Sequence, residues 1–366
     1  MTASPRSTVS RRTFLKTSAA AGLAALGAPG LAQARRSIKF TLPWLAQGAT
    51  GYVYVAQQQG LFAKRGIDAQ VSRGFGSLAA GQAIGNGQFD FGLVSASSTI
   101  LCAATGIPLV ALGTTNYDAF IGVLMLKDSP IAAPKDLEGR KVGGVPASVE
   151  FPLWRAFARN AGVDASKVSI VQADPRVVER TLVEGQIDAY FCVASTAYAV
   201  AKGMGADTRA MLLADYDLSF YSNNIVTRPE ILARDPQLCQ DVTEVLLEAL
   251  AFTVRQPDEA LEIFLKAVPE LTLNKGGREF ARLSQGFMLA SVPRPESIDH
   301  GLGYSDMKRV QEMTDLVMEY CAPATAKRPD PEALFTNRYV GTLKLAPQEW
   351  EQARTAFAEF PALLKG

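Results

Sequence analysis

The stretch "AIGNGQFDFG" at 83–92 returns about a hundred residues later as "TLVEGQIDAY" at 181–190. Each copy runs an apolar pair into a small turn, then Gly-Gln-apolar-Asp, then further apolar residues. A second phrase recurs in the same order, "FAKRGID" at 62–68 and "FARNAGVD" at 157–164. Alternation on either side reads each copy as β-α-β-α-β. In the first, strands at 37–44, "IDAQVSRG" and "FDFGLVS" alternate with helices over 51–66 and "SLAAGQAIGNG". In the second, strands "RKVGGV" (140–145), "KVSIVQA" and "IDAYFCVA" alternate with helices over 150–162 and "PRVVERTLVEG". Alternating strands and helices with short loops predict mostly parallel sheets covered on both faces. The repeated Gln and Asp read as turn and cap residues that close equivalent helix-to-strand turns in two similar lobes.

Two segments read as crossovers. "YDAFIGVLMLKDSPI" (117–131) leads into the second lobe and "SFYSNNIVTRPEIL" (219–232) leads out. Beyond 232 the pattern is helical at 241–254, 258–268 and 305–321, and these helices are expected to return and buttress the first lobe. A chain of 366 residues exceeds what one core usually serves, which agrees with two lobes.

The N-terminus has the order of an export signal. "SRRTFLK" (10–16) carries the Arg11-Arg12 pair, a weakly apolar Ala/Gly run follows, and Ala32-Gln33-Ala34 offers a cleavage site. The pair and its neighbours resemble the twin-arginine signal, with cleavage expected after Ala34 and a periplasmic destination. Cleavage would remove Arg6, Arg11, Arg12 and Lys16 and no acid, taking the formal charge from +1 to −3. No basic face suggests nucleic acid. The four cysteines (Cys102, Cys192, Cys239, Cys321) are scattered, without CxxC, and read mostly as buried thiols. One histidine, His300, argues against most hydrolase and metal chemistry. No cofactor, metal site or catalytic set is expected.

The stretches "TLPWLAQGATGYVYVAQQQGLFAKRGIDAQV", "GNGQFDFG", "KDLEGRKVGG", "RNAGVDASKVSIV", "VEGQIDAY" and "PEALFTNRYV" together resemble the solute-binding proteins of ABC importers related to the NMT1/THI5 group, over nearly all of residues 37–345. That group includes receptors for pyrimidine precursors, sulfonates, taurine and nitrate. The resemblance implies an α/β, two-lobed periplasmic binding protein of type II, with mixed sheets flanked by helices and two hinge strands. It places lobe 1 at 35–121 and 223–366, lobe 2 at 122–222, and a twin-arginine signal peptide at 1–34. It implies a monomer that holds a sulfonate-, nitrate-, taurine- or pyrimidine-like solute between the lobes and delivers it to an inner-membrane ABC permease and its ATPase. The alternatives are a receptor for a TRAP-type secondary transporter and a THI5-like pyrimidine-precursor enzyme. The pyrimidine branch usually has Pro-Asn and His between the Trp and the Tyr, where Gln47, Gly48 and Thr50 stand here.

Ligands in open α/β sheets sit outside the carboxyl ends of strands. That criterion selects Trp44 as a stacking surface and one of Tyr52 and Tyr54, with Tyr52 favoured. Gly76 and Ser77 in "GFGSLAAG" would offer backbone N–H groups at a helix N-terminus, with a modest dipole contribution of roughly 0.3–1 kcal/mol. Ser95 and Ser97 in "SASS" and Ser148 in "VPASVEF" supply hydroxyls, with Phe151 one turn on. Asp174 reads as a ligand for an amine or as the cap of a helix starting at Pro175. Tyr117, Tyr221 and Asn223 lie near the hinges, and Trp154 reads as core. One stacked ring and several charge-assisted hydrogen bonds suffice for micromolar affinity, about 8 kcal/mol.

Overall fold

The computed structural model describes residues 36–145, 148, 150–174 and 177–365. The expected signal segment and its cleavage site lie outside the described residues. In chain order, β1 (Arg36–Thr41), α1 (Gly51–Gln58), α2 (Leu61–Lys64), β2 (Ile67–Ser72), α3 (Ser77–Gly85), β3 (Phe91–Ser95), α4 (Ala96–Ala104) and β4 (Val110–Thr114) come first. Next are β5 (Ile121–Leu126), β6 (Lys141–Gly144), α5 (Trp154–Asn160), β7 (Ser169–Gln172), α6 (Val178–Val183), β8 (Ala189–Val193), α7 (Ala194–Gly203) and β9 (Thr208–Leu212). After β10 (Asn223–Thr227) come α8 (Pro229–Arg234), α9 (Pro236–Arg255), α10 (Pro257–Ala267), α11 (Glu270–Leu273) and α12 (Gly277–Ser291). The chain finishes with α13 (Pro295–His300), α14 (Met307–Tyr320), α15 (Pro331–Leu334), α16 (Pro347–Phe357) and α17 (Glu359–Lys365).

The strands form two five-stranded sheets of matching order, β2-β1-β3-β10-β4 and β7-β6-β8-β5-β9. In each, the fourth position is filled by a crossover strand, and it runs antiparallel to both neighbours. The sheets are therefore mixed, where alternation alone predicts mostly parallel ones. A crossover strand enters its sheet from the other half of the chain, so no βαβ connection dictates its direction.

The repeated phrase does the same work twice. Gly87 and Gly185 adopt left-handed φ of 79° and 70°, a conformation that glycine takes without strain. Gln88 N then donates to Ala83 O (2.9 Å) and Gln186 N to Thr181 O (2.8 Å), closing the two helix ends alike. Two residues on, the Asp90 carboxylate accepts from Lys39 N (2.9 Å) while Asp90 N donates to Lys39 O (2.8 Å). Asp188 repeats both bonds on Lys141, at 2.7 and 2.9 Å. Each phrase thus ties one strand of its sheet, β1 at Lys39 or β6 at Lys141, to the segment that leads into the neighbouring strand β3 or β8.

The C-terminal helices do more than buttress the first lobe, which corrects the expectation above. Helix α12 packs against the 48–50 turn on one side and against α7 on the other. Its Phe287 lies edge-on to Phe120 (5.9 Å), Tyr198 (5.7 Å) and Phe360 (5.9 Å). Helix α17 lies against β9, and α14 is tied to α5 by Arg159–Glu319 (2.9 Å) and by Arg155 donating to Tyr320 O (2.9 Å). Trp154 is buried against Phe157 and Phe191. Cys102, Cys192 and Cys239 are free and buried, as expected of them.

Candidate ligand-binding cleft

A cavity of about 560 Å³ opens where the carboxyl ends of both sheets converge, within the range of sites for small organic ligands. Pro43, Trp44 and Gln47 follow β1, Phe75 to Ala79 follow β2, and Ser95, Ser97 and Ser98 follow β3. The second sheet contributes Val145, Ser148 and Glu150 after β6, Tyr190 to Val193 on β8, and Ser195 and Thr196 after it. Asn116, Asp118, Phe120, Ser222 and Asn223 come from the crossovers, and Glu179, Phe287 and Met288 from helices α6 and α12.

The first-lobe wall is built by backbone contact between loops. Gly74 N donates to Trp44 O (2.9 Å) and Gly76 N to Pro43 O (3.0 Å). A Cβ on Gly74 would stand 2.0 Å from Leu42 O, so only glycine allows this approach. The indole of Trp44 is thereby held half-buried at the cleft. The Gly76 N–H is spent on Pro43 and is not offered to a ligand, which corrects the expectation for that group. Ser95 caps α4 by accepting from Ser98 N (3.3 Å), and its own N–H donates to the Ser77 hydroxyl (2.6 Å). The Ser95 and Ser97 hydroxyls lie 3.1 Å apart. On the far wall the Ser148 hydroxyl donates to Glu150 (2.5 Å), and Ser97 reaches across to the other oxygen of that carboxylate (3.3 Å).

The two helices that open toward the cleft are held by the crossovers. Ala96 N, the first of α4, donates to Ser222 O (2.9 Å), and Ala194 N, the first of α7, donates to Phe120 O (2.8 Å). Phe120 has φ 46°, a left-handed value uncommon for a bulky residue. The Asp118 carboxylate supports that turn by accepting from Phe120 N (2.8 Å), with Arg294 at 3.4 Å. Burial raises the Asp118 proton affinity, and the Phe120 N–H and the guanidinium oppose it.

Of the expected site residues, Trp44, Gly76, Ser77, Ser95, Ser97, Ser148 and Asn223 meet at the cavity and five do not. Tyr52 is fully buried, its hydroxyl on Thr115 (3.0 Å), because its helix turns that position to the sheet. Tyr54 packs on Phe264 of α10 instead (5.5 Å). Tyr117 and Tyr221 form an edge-to-face pair at 5.6 Å beneath the hinge. Tyr117 accepts from Gly303 N (3.1 Å) and Tyr221 donates to Glu296 (2.9 Å). Phe151 lies against Gly144, where a Cβ would come 1.9 Å from its ring. Asp174 is exposed and is not among the lining residues; Pro175, where the helix it was expected to cap would start, lies outside the described residues. Unforeseen lining residues include Gln47, Glu150, Glu179, Tyr190 and Phe287. Ser195 and Thr196 could have been found by carrying "SASS" onto "VASTA" through the repeat. Glu179 and Phe287 carry no local signal.

His300 is exposed, stacks on Tyr304 (4.2 Å) and is absent from the cleft lining. Among the described residues no group of His, Cys, Asp and Glu could hold a metal ion, and no helix is long and apolar enough to cross a membrane.

The family profile described as NMT1/THI5 like matches residues 49–260. A riboflavin-binding protein of Chloroflexus aurantiacus is 22% identical over 333 residues, covering 88% of this chain and 92% of that protein. The 4-amino-5-hydroxymethyl-2-methylpyrimidine phosphate synthase THI5 of Saccharomyces cerevisiae is 23% identical over 257 residues, 67% of this chain and 75% of the synthase. Among solved structures, the periplasmic aliphatic sulphonate binding protein SsuA from Escherichia coli superposes with a TM-score of 0.64 at 18% identity, covering 83% of this chain and 99% of that one. The periplasmic nitrate-binding protein NrtA from Synechocystis PCC 6803 does so with 0.57 at 13% identity, covering 90% and 91%. The architecture is that of the type II periplasmic binding proteins.

Proposed function

The chain belongs to the NMT1/THI5-like family, and on that footing we propose that it is the solute-binding component of an ABC importer. In this reading it is exported to the periplasm by its twin-arginine segment, acts as a monomer and performs no reaction. It closes on a small organic solute by motion about the two crossovers and presents the closed form to an inner-membrane permease with its ATPase. The observation that carries the reading is the 560 Å³ cleft, walled by strand ends of both sheets and by six aromatic residues, Trp44, Phe75, Phe120, Tyr190, Phe191 and Phe287. The placement of the one histidine at the surface supports a receptor over a pyrimidine-forming enzyme that would need an imidazole beside its substrate.

A thermal-shift screen of the purified protein tests this. A solute at 100-fold its dissociation constant should add roughly 2.7 kcal/mol of apparent stability. Trp44→Ala should abolish that gain and leave the unliganded protein folded. Collapse of the unliganded variant would make Trp44 a core residue, and chemical conversion of the stabilising solute would refute a pure receptor.

A further inference from the structure

The described lining of the cleft carries more acid than base. Its described lining includes three acids, Asp118, Glu150 and Glu179, and no Lys, Arg or His. Asp118 is answered by Arg294 and by Phe120 N–H. Glu150 takes the hydroxyls of Ser148 and Ser97, which are neutral donors. Glu179 has neither kind of partner among the described residues, and the hydrogen bond that acts on its carboxylate comes from its own backbone. Burial raises its proton affinity, and its charge adds to the burial that raises those of Tyr190 and Cys192, which line the same wall. On the first-lobe side Gln47, only 7% exposed, leaves its Oε1 without a donor.

Buried acceptors left without donors carry a desolvation penalty that an incoming N–H group removes. An anionic solute would do the opposite, because it adds like charge to a low-dielectric space whose described lining includes no Lys, Arg or His to receive it. The aromatic residues of the walls favour a flat partner, and ring faces attract cations as well as other rings.

We propose that the solute is a flat nitrogen base, an aromatic ring bearing an amine or amidine. It binds as a neutral or positively charged N–H donor with Glu179 as its principal acceptor, and free sulfonates, nitrate and carboxylates are rejected. The assignment rests on the receptor reading above and narrows it.

A ring-matched series tests it on the full-length protein by calorimetry and thermal shift: naphthalene-2-carboxamidine, its neutral carboxamide, the carboxylate and the sulfonate, with nitrate and taurine alongside. The amidine should bind at least tenfold tighter than either naphthyl anion, and its affinity should fall with added salt while that of the carboxamide holds. Glu179→Gln should weaken the amidine at least tenfold and bring it level with the carboxamide. Trp44→Ala should weaken both to a similar extent. If Glu179→Gln does not fold, the salt dependence of the wild type decides. A sulfonate, carboxylate, nitrate or taurine that binds as tightly as the amidine overturns the inference and leaves the receptor reading standing. An amidine preference untouched by Glu179→Gln removes Glu179 from the role. A protein stabilised by no compound of either kind overturns the inference and the receptor reading together.

Discussion

Gly74 decides where Trp44 stands. Its N–H holds the Trp44 carbonyl, and its missing side chain lets the 74–76 loop close on Leu42 and Pro43. Gly74→Ala should push the two loops apart and cost about 1–3 kcal/mol, the usual range for overpacking. Denaturant unfolding followed by tryptophan fluorescence would measure both effects at once. Unchanged stability together with an unchanged emission maximum would mean that the loops do not depend on this contact. Residues of this kind are half legible from sequence. "GFGSL" announces a loop that needs glycine, but the sequence does not say that its N–H groups face the neighbouring loop and not a ligand. The tyrosines show the same limit. A helix from 51 presents positions 52 and 54 to different neighbours, and only the docked sheet and helix α10 decide that neither faces the cleft.

At the level of elements, the duplicated turn is the most portable prediction. Asp90→Ala and Asp188→Ala each remove an acceptor from a strand backbone N–H, that of Lys39 in β1 or of Lys141 in β6, at a cost of about 1 kcal/mol apiece. The first copy should lose somewhat more, because Asp90 also has Arg228 at 3.7 Å. Hydrogen exchange at Lys39 and Lys141 would report each loss in its own lobe, and a loss shared by both would contradict two separately stapled sheets. This architecture could be read from sequence because it is local: a left-handed glycine, a backward hydrogen bond and an aspartate lie within a few residues of one another. The direction of β5 and β10 could not, since a strand entering from the other half of the chain leaves no periodicity to mark it. For the same reason Phe287 and Glu179 were invisible as cleft residues, for long-range packing alone brings α12 and α6 there.

The molecule as a whole joins its halves by more than two crossovers. Helix α12 spans both, and Ser97 reaches Glu150 across the open side of the cleft. If the proposed receptor closes with this bond in place, Ser97→Ala should disfavour the closed arrangement by about 0.5–1.5 kcal/mol. That should appear as a few-fold faster ligand release in stopped-flow measurements, with a slightly larger radius of gyration in solution scattering. Equal release rates would show that the hydroxyl contributes nothing to closure.

The carbonyls of Ser222 and Phe120, each bonded to the first amide of a helix at the cleft, carry a mechanical implication. In the proposed receptor the pivot and the gripping surfaces would share covalent chain and hydrogen bonds, so a swing of one half would not leave the lining residues at those helix ends where they were. Grasp and swing would then be a single coordinate. Substitutions at the pivot should alter selectivity, and those in the fingers should alter how far the jaws open.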